Sequence, residues 1–181
     1  MKWLVFDTSW GWAAVLSDNR LIKRTILPFA VGLNEFKTGL ESSGIESRLF
    51  GENDVTLPLI NNIRRYFQGQ LIDNWEAQWD INSLPAFTQK VLQHISQIPY
   101  GVTKTYGEVA RELGKPRAAR AVGRALSLNP LPLLIPCHRV LAQNGGLGGF
   151  TAPGGVETKK ALLALENEVI SCHNSDRRVH Q

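Results

Sequence analysis

Cysteine is scarce in this sequence, and that scarcity excludes two common ways of stabilising a fold. Cys137 and Cys172 are the only cysteines among 181 residues, and the sequence contains no CxxC or HxxxH pair. A disulfide framework needs more cysteines than this, although a single Cys137–Cys172 bridge stays open. Four zinc ligands at the usual spacings are missing as well, so we expect neither a metal nor another cofactor.

Long hydrophobic runs are also missing. No apolar run approaches the roughly 20 residues of a membrane span, and the apolar stretch at residues 3–6 is too short for a signal peptide. We therefore expect a cytoplasmic protein with no membrane partner. Apolar residues nevertheless make up 43% of the chain, with five Trp and seven Phe, which excludes a disordered or fibrous protein.

Charge is distributed unevenly along the chain. Residues 1–85 contain eight basic and ten acidic side chains, whereas residues 86–181 contain twelve basic and six acidic ones. A basic half joined to a slightly acidic half suggests that only the C-terminal half contacts a polyanion. A solvated basic surface would give the same distribution, so charge alone leaves both interpretations open.

The N-terminal half, residues 1–85, is predicted to be an α/β domain. Runs of strand-forming residues alternate with turn sequences at the start of the chain, with strands at 3–7, 12–16 and 20–27 and turns at 9–11 and 17–19. Residues 57–67 have apolar side chains at helical spacing, and a glycine follows them. The polar segment 80–85 ends in proline and is the predicted linker.

The C-terminal half is predicted to be a second, mostly helical domain over residues 86–170. Apolar spacing indicates a first helix at 87–98. Thr105 is typical of an N-cap, and Glu108 three residues later completes a capping box. A short turn containing glycine then leads to a helix at 117–128. This succession is the pattern of a helix-turn-helix, although other helical hairpins share it.

The helix predicted at 117–128 has two distinct faces. Its apolar side chains should pack inward, and they are Ala118, Val122, Ala125 and Leu126. Another face carries three arginines, Arg117, Arg120 and Arg124. The small residues beside them would let the helix backbone approach a groove closely while the arginines meet phosphates. Together with the charge distribution, this favours DNA as a partner over a solvated basic face.

Cys137 lies in an apolar segment interrupted by proline. A regular helix is excluded there by three prolines within seven residues, Pro130, Pro132 and Pro136. We expect a stiff, extended segment that presents Cys137 from a buried floor. A buried cysteine is usually inert packing. Here His138 and Arg139 follow it directly, and a neighbouring histidine or positive charge can lower the pKa of a thiol and activate it as a nucleophile.

The last predicted helix, residues 156–170, contains a carboxylate that could orient this histidine. Glu166 lies three or four residues from the apolar side chains of the helix, where an unpaired carboxylate is costly to bury. It either reaches water at the edge of the apolar face or pairs with His138, which would complete a nucleophile, base and orienting acid with Cys137. Residues 171–181 show no periodicity, and we expect a loose C-terminal tail.

Residues 145–155 form a glycine-rich stretch. It lacks the Gly-Lys-Ser/Thr ending of a nucleotide-binding loop. Glycines can adopt positive φ angles, so the stretch could close tightly around a flat ligand. Phe150 would be a wall of such a pocket, or it could simply fill a gap in the packing.

Several motifs together resemble the O6-alkylguanine-DNA alkyltransferases, also called methylated-DNA–protein-cysteine methyltransferases. The resemblance runs from about residue 87 to residue 166 and rests on Pro99-Tyr100-Gly101, Thr105-Tyr106-Gly107-Glu108-Val109-Ala110, Ala118-Ala119-Arg120-Ala121-Val122-Gly123, Asn129-Pro130 and Ile135-Pro136-Cys137-His138-Arg139-Val140. The last motif is highly specific in combination with the others. Residues 1–85 match only loosely, and the resemblance implies a ribonuclease-H-like α/β domain there, followed by a helical domain with a helix-turn-helix.

The resemblance implies a direct-reversal DNA repair reaction centred on Cys137. This cysteine would accept a methyl or other alkyl group from O6 of guanine, with His138 and Glu166 activating it through a water-mediated relay. Asn129 would be the hinge between the helix-turn-helix and the Cys137 segment. The thioether product has no hydrolytic exit, so each molecule, expected to be a monomer, would act once.

The same resemblance assigns the contacts with double-stranded DNA. Arg120 would enter the duplex in the minor groove and fill the gap left by a flipped guanine. The phosphate contacts of Arg117 and Arg124 follow from the arginine face described above and not from the resemblance. Tyr106 would press on a neighbouring phosphate. The base pocket would be lined by Val140, Phe150 and Thr151. Phe150 stands where the family usually has tyrosine, which removes one possible hydrogen bond to the base.

Three alternatives remain beside this interpretation. Alkyltransferase-like proteins sense the lesion without repairing it, but they replace the acceptor cysteine, commonly with tryptophan, and Cys137 is present. A plain helix-turn-helix regulator would explain the basic helix but would need neither the Cys-His segment nor the glycine-rich stretch. A cysteine hydrolase usually places its histidine far from the cysteine in sequence, whereas His138 is adjacent.

Overall fold

The computed structural model describes residues 1–18, 21–42, 44–51 and 56–179, with side chains described up to Ser175. The described residues form seven strands, six α-helices and one 3₁₀ turn. Asn19 and Arg20, predicted to complete the second turn and to begin the third strand, lie outside this part of the chain.

A mixed five-stranded sheet forms the N-terminal half. Its first three strands are antiparallel neighbours, β1 (Lys2–Thr8), β2 (Gly11–Asp18) and β3 (Leu21–Phe29). Two short strands pair in parallel at the edges, β4 (Ser47–Leu49) with β1 and β5 (Gln78–Trp79) with β3. Ser9 and Trp10 connect β1 to β2, because Thr8 pairs with Gly11. The three strands predicted at the start of the chain are confirmed.

Both faces of this sheet are covered, which explains why β1 is apolar without interruption at residues 3–6. Side chains alternate between the two faces of a strand. One face packs against α1 (Leu33–Glu41) in a cluster that includes Trp3, Val5, Phe36 and Leu40. The other face packs against α2 (Leu57–Phe67) in a larger cluster that includes Leu4, Phe6, Leu59 and Ile63. The helix predicted at residues 57–67 is confirmed.

The C-terminal half is mostly helical, as predicted. Its elements are α3 (Ala86–Ile95), β6 (Lys104–Thr105), α4 (Tyr106–Glu112), α5 (Ala119–Ser127), the 3₁₀ turn Cys137–Arg139, β7 (Val140–Leu141) and α6 (Gly155–Val179). β6 and β7 pair in parallel. The predicted capping box is present, because the Thr105 hydroxyl accepts from Glu108 N and the Glu108 carboxylate accepts from Thr105 N. In the described part of the chain, no helix is long and apolar enough to span a bilayer.

The C-terminal helix is longer than expected. We predicted a loose tail after residue 170, but α6 continues without interruption to Val179. The prediction was wrong because it relied on apolar periodicity alone. No glycine or proline occurs between Val156 and Val179, so nothing in the backbone ends the helix once it has formed.

The apolar core is continuous across the predicted domain boundary. The larger cluster contains buried side chains from α2 and from the C-terminal helices, among them Ile60, Leu92, Val122 and Leu162. A polar connection joins the same two halves at Thr25 of β3, whose backbone N donates to Pro130 O at 3.0 Å and whose hydroxyl donates to Pro132 O at 2.8 Å. The sheet therefore supports the chain segment that leads to Cys137.

Thr25→Val should test this support. The substitution preserves the shape of the side chain but leaves the buried Pro132 carbonyl without its donor, so the free energy of unfolding should fall by about 1–3 kcal/mol. Thr38→Val is the matched control, since the Thr38 hydroxyl also bonds a carbonyl but at an exposed position; we expect a change within about 0.5 kcal/mol there. Urea unfolding measures both. Equal losses of unfolding free energy in the two variants would show that the buried hydrogen bond of Thr25 stabilises the fold no more than the exposed one of Thr38.

Candidate active site

A cavity of about 490 Å³ opens between α4, α5 and the glycine-rich stretch. Five of the predicted functional residues line it, and they are Tyr106, Arg120, Cys137, Phe150 and Thr151. Cys137 is only 8% exposed, as expected of a nucleophile at the floor of a pocket. A cavity of this size is within the range of small-molecule sites.

The remaining predicted residues lie around this cavity and do not line it. Val140 was expected in the wall, but its side chain is fully buried and it is not among the residues that line the cavity. Arg117 and Arg124 are exposed on the outer surface. Asn129 lies just beyond the end of α5, between that helix and the Cys137 segment.

The segment before Cys137 is folded into a turn, which corrects the expected extended conformation. The prolines do exclude a helix there, but the Asn129 side chain brackets the segment, donating from Nδ2 to Ile135 O at 2.9 Å and accepting from Leu131 N at 3.0 Å. Ile135 N also donates to Leu131 O. Leu133 takes a φ of 79° inside this turn, a conformation that non-glycine residues rarely adopt.

A buried network of hydrogen bonds includes His138 and Arg139, the two residues after Cys137, and is centred on the Glu166 carboxylate. Glu166 Oε1 accepts from His138 Nε2 at 2.8 Å, from Arg139 Nη2 at 2.9 Å and from the Tyr66 hydroxyl at 2.7 Å. Glu166 Oε2 accepts from Arg139 Nε and from the backbone N of Gly101, both at 3.0 Å. The pairing of Glu166 with His138 that the sequence left open is therefore present.

The protonation state of this network follows from its partners. Burial would raise the pKa of Glu166, but its hydrogen bonds with His138 and Arg139 and the positive charge of Arg139 lower it far below its usual range. An ionised carboxylate can only accept, so His138 Nε2 must carry the hydrogen. Burial lowers the pKa of His138, which leaves a neutral ring. Its Nδ1 has no protein partner in the described part of the chain and is the atom that can take a proton.

The thiol of Cys137 is not activated in the way that we expected. Burial raises its pKa, and a hydrogen bond from Asn129 and the charge of Lys159 offset this only in part. The guanidinium of Arg139 is bonded to Glu166 and the ring of His138 is neutral, so neither side chain supplies the activating charge that the sequence suggested. From His138 only a backbone hydrogen bond lowers the pKa of Cys137. At rest Cys137 is thus a protonated thiol, and a base must remove its proton when it reacts.

Lys159 is a functional candidate that the sequence interpretation missed. Its side chain is fully buried, and Nζ donates to the carbonyl oxygens of Val140 and Leu147. It thereby ties the glycine-rich stretch to β7 and places a positive charge near Cys137. A signal was available, because Lys159 precedes Glu166 by seven residues and so lies on the same face of α6.

Tyr106 forms one wall of the cavity. It is half-buried, and burial raises the pKa of its hydroxyl, as does the negative charge of Cys137 once that thiol is ionised. The glycine-rich stretch passes so close to this ring that a Cβ on Gly148 would lie 2.6 Å from the Tyr106 hydroxyl, and Gly148 also has a φ of 66°. Glycine is therefore required at this position for two independent reasons.

Comparisons with known proteins agree with this site. The family described as "6-O-methylguanine DNA methyltransferase, DNA binding domain" matches residues 86–168. A methylated-DNA–protein-cysteine methyltransferase of Mycobacterium leprae is 34% identical over 160 residues, which cover 88% of this chain and 85% of that protein. The chain belongs to this methyltransferase family. The resemblance inferred from the motifs is confirmed.

Other members of the methyltransferase family are similar over different lengths. The Mycobacterium bovis member is 41% identical over 107 residues, which span 59% of this chain and 62% of that protein. The structure of Mycobacterium tuberculosis OGT in complex with DNA aligns with a TM-score of 0.74 and 27% identity, covering 93% of this chain and 94% of the other. The O6-methylguanine-DNA methyltransferase of Pyrococcus kodakaraensis aligns with a TM-score of 0.66 and 25% identity, covering 91% and 98%.

Lys159→Met should test the electrostatic setting of Cys137. Loss of the positive charge should raise the pKa of Cys137 further, so less thiolate is present at neutral pH and alkylation by iodoacetamide should slow by about two- to tenfold. The pH at which the alkylation rate rises should also be higher for Lys159→Met than for the parent protein. The parent protein and its variants are all made in a Cys172→Ser background, because the exposed Cys172 would also react with iodoacetamide.

Lys160→Met is the matched control, because Lys160 is the next residue on α6 and is exposed. Its rate and pH dependence should match those of the parent protein. Identical pH profiles for Lys159→Met and Lys160→Met would contradict the assignment of Lys159. Circular dichroism at each pH separates a change in reactivity from unfolding.

Proposed function

We propose that this chain repairs DNA by transferring a methyl or other alkyl group from O6 of guanine to Cys137. The observation that carries the proposal is the placement of Cys137 at the floor of a cavity, followed in the chain by a neutral His138 that Glu166 holds by a hydrogen bond. The family to which the chain belongs supports the same reaction. The product is a thioether at Cys137, so one molecule performs one transfer.

The proposed reaction is a single displacement at the alkyl carbon. The Cys137 proton passes through a bridging water to Nδ1 of His138, and the thiolate attacks the carbon in line with the O6–carbon bond. The new S–C bond forms as the C–O6 bond breaks, and the electron pair stays with guanine. Guanine then takes a proton, for which the Tyr106 hydroxyl in the wall of the cavity is a candidate donor. Glu166 holds His138 in the required tautomer throughout.

Substrate access requires DNA binding and extrusion of the damaged nucleotide. We propose that α4 and α5 act as a helix-turn-helix in the minor groove, with Arg117 and Arg124 on phosphates. Arg120 lies at the cavity and would fill the gap left by the flipped base, which costs a few kcal/mol to unstack. Support comes from the exposed Arg120 and Arg124 of α5 and from Arg117, which is exposed two residues before that helix and not on it as predicted. The similar Mycobacterium tuberculosis protein, which has been solved with DNA, supports the same role.

The proposal also divides the chain into parts. Residues 86–170 would form the DNA-binding and acceptor domain, and residues 1–85 a ribonuclease-H-like α/β domain that supports it. The Asn129 bonds to the turn before Cys137 suit a hinge residue, because they would transmit the position of α5 on DNA to the nucleophile.

Intact-mass measurement tests the reaction directly. After incubation with duplex DNA containing O6-methylguanine, the protein should gain the mass of one methylene group, and peptide mapping should place it on Cys137. Cys137→Ala should gain nothing, whereas Cys172→Ser should react like the parent protein. The proposal would be contradicted if the parent protein acquired no adduct or if the adduct persisted in Cys137→Ala.

Arg120→Ala tests the proposed role of Arg120 in extrusion. Reaction with duplex DNA should slow by about tenfold or more because the flipped state loses its support, while reaction with free benzylguanine should change by less than about twofold. Arg124→Ala removes an arginine from the same helix outside the cavity, and should weaken DNA binding without this selective loss. Equal losses with both substrates in Arg120→Ala would refute the role.

A further inference from the structure

We infer that Tyr66 of α2 is a positioning residue for the reaction at Cys137, setting the proton affinity of the His138–Glu166 pair from the N-terminal half of the chain. The inference rests on the proposed function. Tyr66 lies 100 residues from Glu166 in sequence, and it belongs to the half of the chain that resembles the methyltransferases only loosely. It is nevertheless one of the three side chains that bond Glu166 among the described residues.

The geometry of Tyr66 makes its hydroxyl a fixed donor. The side chain is fully buried, and its ring meets Phe67 and Tyr100 edge to face, with centroids 5.2 and 5.6 Å away. The hydroxyl donates to Glu166 Oε1 at 2.7 Å. Burial and the neighbouring carboxylate raise the pKa of Tyr66 well above its ordinary value, so the phenol keeps its proton.

The shared acceptor atom links Tyr66 to the proton transfer. Oε1 is the same oxygen that accepts from His138, and a carboxylate oxygen divides its negative charge among its donors. Loss of the Tyr66 hydroxyl would leave more of that charge to face the imidazole. Both His138 and Glu166 would then hold a proton more readily, and either protonation stops His138 Nδ1 from accepting the proton of Cys137.

Several other charged or titratable groups face this pair. Arg139, from the 3₁₀ turn, bonds both oxygens of Glu166, and Tyr100 lies against the guanidinium, which is 5.5 Å from the centre of its ring. Lys159 of α6 acts on His138 from the other side and lowers its pKa, and Cys137 lies next to the imidazole in sequence. All of these groups are unchanged by a substitution at Tyr66, so a shift in the pH profile reports on the Tyr66 hydroxyl.

Tyr100 supplies a matched control. Its ring is buried in the same cluster, and its hydroxyl is also buried but has no hydrogen-bond partner among the described residues. Tyr100→Phe therefore removes the same atom from the same environment without removing a bond to Glu166. A purely structural contribution of a buried phenol would appear in both variants.

The test is the pH dependence of alkylation of Cys137 by free benzylguanine, followed by intact mass. We expect Tyr66→Phe to move the acidic limb of the rate profile to higher pH by about half to one unit. A shift of this size corresponds to the net free energy of one hydrogen bond. Tyr100→Phe should leave the limb where it is in the parent protein. An unmoved limb in Tyr66→Phe, or equal shifts in both variants, would overturn the inference.

A second variant keeps the hydroxyl and changes its strength. Replacement of Tyr66 by 3-fluorotyrosine makes the phenol more acidic and a stronger donor, so the acidic limb should move downward. A shift in the same direction as Tyr66→Phe would overturn the inference.

The failure of this inference can be distinguished from the failure of the proposed function. If the parent protein forms no adduct, the proposed function fails and this inference fails with it. If the parent protein forms an adduct but the acidic limb of Tyr66→Phe does not move, this inference alone fails.

Discussion

The buried carboxylate of Glu166 is the constraint on which the rest of the site depends. A charge with 1% of its surface exposed is stable only if protein groups replace the water that it loses. Arg139 neutralises it, and Tyr66, His138 and the backbone of Gly101 supply the remaining donors. These donors come from α2, from the connection after α3 and from the 3₁₀ turn, so satisfying one carboxylate brings distant parts of the chain together behind Cys137.

In this arrangement the resting protonation state of Cys137 and its proposed activation depend on different groups. Arg139 is bonded to Glu166, so among the described residues Lys159 is the one cation whose charge lowers the pKa of Cys137, and burial keeps the thiol protonated. A protonated thiol is a poor nucleophile and is oxidised slowly, which would suit a residue that reacts once, as we propose for Cys137. Activation is assigned instead to the neutral His138, whose tautomer is set by an ionised partner. Cys137 would therefore react only when His138 accepts its proton, because it is not a thiolate at rest.

Most of the fold could be predicted from local sequence signals. The three strands, α2 and the capping box at Thr105 depend on spacing within a dozen residues, and each was confirmed. The errors arose where a local rule was incomplete. Periodicity ended before the backbone of α6 did, and the prolines before Cys137 excluded a helix without determining the turn that Asn129 imposes.

The sequence alone pointed to the proposed nucleophile Cys137, to the histidine beside it and to the carboxylate on an otherwise apolar helix face. A cysteine followed by a histidine, or a carboxylate among apolar side chains, can be recognised from the order of residues because such residues are costly to bury without a partner. Tertiary structure decided the electrostatics. Only folding showed that Arg139 bonds Glu166 instead of activating Cys137, and only folding joined Tyr66 to a partner 100 residues away. Proton affinities depend on burial and on the distances between charges, and neither quantity is contained in the order of residues along a chain.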